Sequence, residues 1–425
     1  MKDKVKQLFN KGFFHIFGSS AINKVIAFLS SIVLVRILSK TEYGAFTYAW
    51  NIYGIVLLCN GLGLESGTLQ LASEHSGDIA YGRRLCCYGT KLGLKINIIP
   101  ALVLACLGAF APLKIESGRR LLIALCVLPF LQFSMNMTNS YLRAQKCNKE
   151  YARLQVINTF LLFVSSAGFA LLLREMGLVI GHYLAYIGTL MVSILIYRIN
   201  LISNDYQISE TDKVPLLKIS FISMLNNGLS QLMFLIDVFI LGIVDPQETI
   251  LASYKVATMV PTALTFIPAS MITFIYPYFA EHKDDGKWCI DKYKQLLMGM
   301  GAFNICASLF LIVFAQPLVR LLFGDAYLDA IPVFRLLAAN YFVSGTFRTI
   351  SGNLLVTQRK LKFNLFVAIV SSSVNIIADY FFIQWWGSRG AAYATMIVVL
   401  ISSIMSTSYL IYTFKSKQNN QRETE

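Results

Sequence analysis

Apolar runs of about 20 residues fill this chain from end to end, separated by short polar segments. A helix needs about 20 apolar residues to cross the hydrocarbon core of a bilayer, where its backbone polar groups must be satisfied internally. The pattern therefore predicts an all-α membrane protein with about twelve transmembrane helices, at residues 12–35, 43–65, 84–111, 118–141, 151–173, 177–199, 216–243, 250–278, 292–316, 327–355, 361–385 and 389–413. The first run is too long for the apolar part of a cleavable signal peptide, so we interpret it as the first span.

Composition and charge agree with a membrane location. The 425 residues are 56% hydrophobic and only 14% charged, yet the net charge is +14. With the amino terminus placed in the cytoplasm, roughly three quarters of the Lys and Arg residues outside the spans fall on the inner side, as the positive-inside rule requires. The basic balance thus predicts topology, with both termini cytoplasmic, and argues against nucleic acid as a partner.

Sites for cofactors are not indicated. The eight cysteines and four histidines show no metal-ligand spacing, and no G-x-x-x-x-G-K-[ST] motif is present. We therefore predict no metal, no cofactor and no ATPase motor in this sequence.

The chain resembles itself at an offset of roughly 200 residues. IVLVRILSKTEYGAFTYAW (32–50) aligns with FILGIVDPQETILASYKVA (239–257), which places Tyr48 opposite Tyr254. Later segments repeat in the same order, with basic residues before the fifth and eleventh spans and Gly-rich starts to the sixth and twelfth. The chain is therefore predicted to contain two copies of six spans.

The repeat defines the predicted domains. They are an amino-terminal lobe (1–200), a cytoplasmic linker (201–215), a carboxy-terminal lobe (216–414) and a cytoplasmic tail (415–425). Six is an even number, so both copies enter the membrane in the same orientation and are related about an axis along the membrane normal. Two such lobes predict a central cavity that opens alternately to either side, as in MATE transporters.

Three segments carry a family resemblance. RILSKTEYG (36–44) leads into the second span, LIDVFILG (235–242) precedes Tyr254, and GSRGAAYAT (387–395) begins the twelfth span. In this order and within a twelve-helix frame, they resemble the polysaccharide-export (Wzx-type) flippases of the multidrug/oligosaccharidyl-lipid/polysaccharide exporter superfamily. In that family an acidic residue in the seventh helix and a downstream tyrosine recur.

The resemblance implies a function. Wzx-type flippases move undecaprenyl-pyrophosphate-linked oligosaccharide repeat units, such as O-antigen or capsule units, across the bacterial cytoplasmic membrane, driven by ion gradients. It implies an anionic lipid-linked oligosaccharide and membrane lipids as partners, with a polysaccharide polymerase and chain-length machinery as further candidates. Lipid II flippases of the same superfamily usually have fourteen helices, so twelve spans favour polysaccharide export over the peptidoglycan role.

Charged residues inside predicted spans are the candidate site residues. Each costs roughly 2.5–3.5 kcal/mol at a helix centre on insertion scales, so each needs a reason. The candidate cavity cations, which would replace the water shell of an anionic headgroup, are Lys24, Lys255, Arg348, Lys91 and Lys95. The candidates for ion coupling, to a proton or to sodium, or for charge balance are Asp237, Asp379 and Glu65.

Structural explanations compete for several of these charges. Lys91 and Lys95 share one helix face and are also placed to snorkel to the inner interface. Lys255 and Asp237 lie on sequential helices, so a structural ion pair is an alternative. Lys24 has no partner close in sequence, which favours a functional role.

Prolines mark the eighth span as a candidate hinge. Pro261, Pro268 and Pro277 each remove a backbone hydrogen bond from one predicted helix. They predict a flexible point for switching between inward and outward states, and a static kink is the alternative.

Two other functions are alternatives to export of lipid-linked sugars. A MATE-like antiporter of small cationic compounds would keep the fold but favour an acidic cavity, whereas the embedded charges here lean basic. A polytopic glycan polymerase or glycosyltransferase would need a catalytic surface in a sizeable loop, and the predicted outer loops are only several residues long. We therefore predict a transporter and no enzymatic activity.

Overall fold

The computed structural model describes residues 13–75, 78–113, 115–202 and 208–424. Within these ranges every regular element is helical, so the predicted all-α architecture is confirmed. The chain divides into two compact units, Met1–Gln231 and Leu232–Glu425. The boundary lies inside a helix, and the predicted domain limits at 200 and 216 stay a prediction.

Unit 1 contains the first eight α-helices and most of the ninth. They are α1 (Phe13–Ile37), α2 (Lys40–Val56), α3 (Leu64–Glu74), α4 (Ile79–Ile96), α5 (Ile98–Phe110), α6 (Glu116–Leu125), α7 (Leu128–Ala144), α8 (Asn148–Leu195) and α9 (Glu210–Val244). A tight 3₁₀ segment, Leu57–Gly63, joins α2 to α3. The predicted linker contributes the start of α9, and its residues 203–207 lie outside the described ranges.

Unit 2 contains the remaining helices. They are α10 (Glu248–Leu264), α11 (Phe266–Glu281), α12 (Gly286–Val313), α13 (Ala315–Phe323), α14 (Ile331–Val343), α15 (Thr349–Thr357), α16 (Leu361–Trp386) and α17 (Ser388–Thr424). A 3₁₀ segment, Asp325–Ala330, precedes α14, and a π-helical turn, Ser344–Arg348, joins α14 to α15. The predicted tail continues α17 as helix, and Lys417 Nζ donates to the Lys283 carbonyl oxygen at 2.7 Å and to Gln358 Oε1 at 2.8 Å.

Helices long enough to cross a membrane are frequent. In the described part of the chain, seven helices are sufficiently long and apolar, and α6 with α7 forms a bent pair that qualifies as an eighth. Each of the twelve predicted spans coincides with helical structure. Residues 151–199, predicted as two spans, lie mostly in α8, which consists of two helical segments that meet at a non-helical residue, Arg174 (φ 53°, ψ −132°).

The reversal in α8 depends on small residues. A Cβ atom on Gly177 would lie 2.2 Å from the Phe169 carbonyl oxygen, and one on Gly181 would lie 2.6 Å from Ser166 Cα. The two halves of α8 therefore cross closely, and the Arg174 guanidinium forms a bidentate pair with Glu42 at 2.8 and 2.9 Å.

Basic residues end several helices in a left-handed backbone conformation. Lys146, Arg198 and Arg359 have φ of 57°, 54° and 58°. The amide that follows each donates back to a carbonyl five or six residues earlier, which is the hydrogen-bond pattern of a glycine-type helix end. A cation there is favourable because the last helical carbonyls carry partial negative charge.

A buried asparagine holds together two interrupted helices of unit 1. Asn97 separates α4 from α5 and is fully buried. Its Oδ1 accepts from the Gly61 amide at 2.8 Å, and its Nδ2 donates to Asn60 Oδ1 at 2.7 Å and to the Pro129 carbonyl oxygen at 3.2 Å. The bond to Gly61 satisfies a backbone amide that the break between α2 and α3 leaves without a helical partner.

The packing around this break predicts the effect of one substitution. A Cβ atom on Gly93 would lie 2.0 Å from the ring of Phe133. Gly93→Ala is therefore expected to lower the thermal midpoint of the purified protein and to destabilise it by about 2 kcal/mol through overpacking. Phe133→Leu in the same chain should recover part of that loss.

The matched control is Gly168→Ala, because a Cβ atom on Gly168 meets no other atom within 4 Å. Differential scanning fluorimetry in detergent measures all three variants. Equal thermal midpoints for the Gly93 and Gly168 variants would contradict this packing.

Candidate functional site: a buried carboxylate cluster

Two of the three predicted acidic residues meet inside unit 2. Asp237 on α9 and Asp379 on α16 are both buried, with 9% and 0% of their surface exposed. Asn375 Nδ2 lies between them and donates to Asp237 Oδ1 at 3.2 Å and to Asp379 Oδ2 at 3.0 Å. The two carboxylates therefore form one site.

Hydroxyl groups from two further helices complete the cluster. Tyr254 on α10 donates to Asp237 Oδ2 at 2.9 Å, and Thr395 on α17 donates to the same oxygen at 2.7 Å. Four helices thus supply the side chains, and Asn375 and Asp379 are one turn apart on the same face of α16. The segment after Asp379 turns at Gly387 (φ 55°), which brings α17 back alongside α16.

The cluster contains two carboxylates and no neutralising cation among the described residues. Asp379 Oδ1 is buried and has no hydrogen-bond partner. Among the described residues, no Lys or Arg forms an ion pair with either carboxylate. Two buried anions without a cation are strongly unfavourable, so a bound proton or a small cation is required to neutralise the site.

Two of the three segments that carried the family resemblance contribute to this cluster. LIDVFILG supplies Asp237, Tyr254 follows it, and GSRGAAYAT supplies Thr395. Asn375 was missed, although its place one turn before Asp379 in an apolar span was a usable signal. The alternative of an ion pair between Lys255 and Asp237 is wrong: Asp237 bonds to the neighbouring Tyr254, and the Lys255 side chain is exposed.

Lys24 projects from an exposed part of α1 in unit 1. The large apolar residues Ile22, Val25 and Leu29 form an exposed stripe on this helix. At 100° per residue, Lys24 lies roughly 130° around the helix from the centre of that stripe. It therefore does not share the apolar face that suits contact with lipid tails.

Lys255 projects from α10 in unit 2. Lys255 is exposed, whereas every other residue of the segment 251–257 is buried. Its side chain leaves the packed helix at this point while Tyr254 turns inward to Asp237.

Arg348 closes the π-helical turn between α14 and α15 and is half-buried. Asn304 from α12 holds this turn, because its Nδ2 donates to Thr346 Oγ1 at 3.1 Å and its Oδ1 accepts from Tyr341 at 2.8 Å. Such bulges shift the following residues around the helix and are frequent at functional sites.

The remaining predicted charges lie in unit 1. Lys91 and Glu65 are half-buried and Lys95 is exposed. Glu65 is in the first turn of α3, directly after the helix break, and its Oε2 is buried without a hydrogen-bond partner. Anion binding and snorkelling both stay predictions for the two lysines.

Two prolines of the eighth predicted span lie on either side of a break in the helix. Helix α10 ends at Leu264 and α11 begins at Phe266, between Pro261 and Pro268. Pro268 cannot donate to the carbonyl group four residues earlier, which explains the break. Pro277 lies further along α11. Motion about this point stays a prediction.

Comparison with solved structures shows the fold. A multidrug resistance MATE family transporter of the MOP superfamily, in an inward-facing conformation, superposes with a TM-score of 0.72 at 14% identity, over 95% of this chain and 99% of that one. The lipid II flippase MurJ, in an inward closed conformation, gives 0.69 at 14% identity, over 95% and 90%. The fold is that of the MOP-superfamily membrane transporters.

Sequence comparison gives the family. The family model described as "Polysaccharide biosynthesis protein" matches residues 33–332, and the chain belongs to this family. The lipopolysaccharide biosynthesis protein WzxC of Escherichia coli K12 is 28% identical over 199 residues, which cover 45% of this chain and 37% of that protein. An uncharacterized membrane protein in the cps region of Klebsiella pneumoniae is 26% identical over 162 residues, covering 37% and 32%.

These findings confirm the predicted resemblance to Wzx-type flippases and the predicted fold class. The aligned stretches span about a third of the length of the curated relatives. The chain is a multi-pass membrane protein of the polysaccharide biosynthesis family, and the solved structures that share its fold are those of membrane transporters.

Proposed function

We propose that this protein is a flippase that moves undecaprenyl-pyrophosphate-linked oligosaccharide repeat units across the bacterial cytoplasmic membrane by alternating access. Membership of the polysaccharide biosynthesis family supports a glycan cargo. The shared fold with a lipid II flippase supports a lipid-linked form of that cargo. The proposal includes both termini in the cytoplasm, and a polysaccharide polymerase and chain-length machinery as partners in the same membrane.

The buried carboxylate cluster carries the proposal of ion-driven transport. Asp237 and Asp379 lie within predicted spans, share Asn375 and lack a neutralising cation among the described residues. Ionisable groups at such a depth are costly and commonly serve proton or ion pathways. A proton or a sodium ion that binds here and leaves during each cycle would couple its gradient to cargo movement.

Exposed cations are proposed to contact the anionic headgroup. Lys24 and Lys255 each project away from the packed core of their own unit. A pyrophosphate loses strong hydration when it enters a low-dielectric space, and fixed ammonium groups offset that loss. We propose Lys24 and Lys255 as the main contacts, with Arg348, Lys91 and Lys95 as further candidates.

Substitution of Lys24 tests the cargo. Lys24→Ala is expected to abolish export of surface polysaccharide while the protein remains in the membrane, because a charge needed by the pyrophosphate is lost. Lys24→Arg should retain more export than Lys24→Glu. The measurement is surface polysaccharide in a flippase-null strain that expresses each variant at equal level.

The matched control is Val25→Ala, a truncation of the exposed neighbour on the apolar stripe. It should leave export unchanged. Wild-type export with Lys24→Glu would refute the proposed headgroup contact.

Drug export is the alternative within the same fold, because a MATE transporter superposes over nearly the whole chain. An ethidium efflux assay in the same cells separates the two functions. Efflux without restored surface polysaccharide would assign the protein to the antiporters and overturn the flippase proposal.

A further inference from the structure

Unit 2 contains buried hydroxyl groups that lack hydrogen-bond partners. They lie on the side of the carboxylate cluster that faces the start of α16. Ser371 on α16 and Ser403 on α17 are 1% and 4% exposed, and the Oγ atom of each has no partner. Serine and threonine in membrane helices usually donate to a carbonyl group of their own helix. Ser402 and Thr413 do so here, at 3.1 and 2.8 Å. The two orphan hydroxyls therefore need another partner.

Their spacing suggests water as that partner. Asn375 and Thr395 both contact Asp237 and so define the depth of the cluster. At 1.5 Å per residue, Ser371 lies about 6 Å along α16 from Asn375, and Ser403 lies about 12 Å along α17 from Thr395, in the same direction because the helices are antiparallel. These rises are measured along the helix axes; where two hydroxyl groups are about 6 Å apart, one water molecule can bridge them, each contact being about 2.8 Å.

Beyond Ser403, the structure contains a chain of hydroxyl groups that are within hydrogen-bond distance of one another. Thr407 lies one turn beyond Ser403 on α17, and its Oγ1 is 2.9 Å from Ser351 Oγ. Ser351 Oγ is 2.7 Å from the Tyr293 hydroxyl. Tyr293 is in the second turn of α12, about 10 Å from the start of that helix. The hydroxyl series thus runs from the cluster to the end of unit 2 that the proposed topology places in the cytoplasm.

The ionisable groups of the cluster itself are Asp237, Asp379 and Tyr254, while α17 contributes Thr395, which does not titrate. Asp379 Oδ1 is the oxygen without a partner. Between this oxygen and Tyr293, the groups named are neutral hydroxyls, each able to accept one hydrogen bond and donate another. Such groups pass a proton along by accepting one and releasing one.

We propose that Ser371, Ser403, Thr407, Ser351 and Tyr293 form a water-bridged path that carries protons between Asp379 and the cytoplasmic side of unit 2. This inference rests on the proposed function and specifies its coupling ion. A proton that binds Asp379 Oδ1 leaves by this path and the carboxylate regains its charge; each hydroxyl group and water on the path gains one O–H bond and loses another, so that it is unchanged overall. Proton release then occurs inside unit 2, separately from the cargo.

The test uses pairs of variants with equal size. Valine and threonine have nearly the same shape, but only threonine keeps the hydroxyl group. Full-length protein is reconstituted in liposomes that contain a pH-sensitive dye, with undecaprenyl-pyrophosphate-linked N-acetylglucosamine as the probe cargo. Proton flux and cargo translocation are measured separately under an imposed pH or sodium gradient.

Ser371→Val and Ser403→Val, each alone, are expected to reduce cargo-dependent proton flux about tenfold. Ser371→Thr and Ser403→Thr should retain it within about twofold. Ser402→Val is the control, since its hydroxyl already donates to the Val399 carbonyl oxygen of its own helix. Testing the two positions singly keeps the test valid if one variant fails to fold.

Distinct outcomes separate the inference from the proposed function. Equal proton flux in the valine and threonine variants would overturn the path and leave the flippase intact. Translocation driven by sodium, without proton flux, would also overturn the path. Absence of probe translocation under either gradient in the wild-type protein would count against the proposed function itself.

Discussion

Asp379→Asn is expected to reduce cargo translocation about 100-fold while the protein remains folded. Asparagine has the shape of a protonated carboxyl group, so the contact with Asn375 and the packing of α16 on α17 can persist. The variant cannot take up and release a proton or bind a cation through charge, so the gradient no longer drives the cycle. A 100-fold loss corresponds to about 2.7 kcal/mol.

The measurement is gradient-driven translocation in liposomes, with the thermal midpoint recorded in parallel. Asp379→Glu should retain partial activity, since it keeps the charge. The neighbouring Asn375→Asp would add a third carboxylate and should also inhibit transport. Full activity with a normal thermal midpoint in Asp379→Asn would remove the cluster from the coupling mechanism.

Asn97→Ala is expected to cause the largest loss of stability in unit 1. It removes three hydrogen bonds and leaves the Gly61 amide and the Asn60 side chain without this partner. Each buried polar group left unsatisfied costs about 1–3 kcal/mol, so a total of about 3 kcal/mol or more is expected. The thermal midpoint of the purified protein in detergent checks this value.

Two further variants make the test specific. Asn97→Asp keeps the acceptor for Gly61 but loses both donated bonds, and it should also destabilise the protein. Asn227→Ala on α9 removes an exposed amide and should leave the midpoint unchanged. Similar midpoints for the three variants would show that Asn97 does not hold the helix break.

The amino-acid pattern predicted the helices because membrane insertion imposes a strong constraint on their length and composition. Each predicted span coincides with helix for this reason. The breaks were harder to predict. The left-handed residues from Gly61 to Gly63 and the break at Asn97 depend on a contact between segments distant in sequence, which local periodicity does not contain.

Only the acidic residues of the candidate site were predicted from the sequence, because the other members depend on packing between distant segments. Asp237 and Asp379 stood out because an acidic residue in an apolar span is costly. Tyr254, Asn375 and Thr395 are ordinary residues for such helices, and only the packing of four helices gives them a shared partner. The alternative of an ion pair between Lys255 and Asp237 rested on their closeness along the chain, but the two side chains do not contact each other.

Lys146, Arg198 and Arg359 occupy helix ends where glycine would relieve backbone strain. In the proposed topology these same side chains supply part of the cytoplasmic positive charge that orients the chain during insertion. Glycine at these positions would relieve the local backbone strain but would remove positive charges that set the orientation of the chain in the membrane. Attempts to make this protein more heat-resistant at these positions would therefore compete with its correct assembly in the membrane.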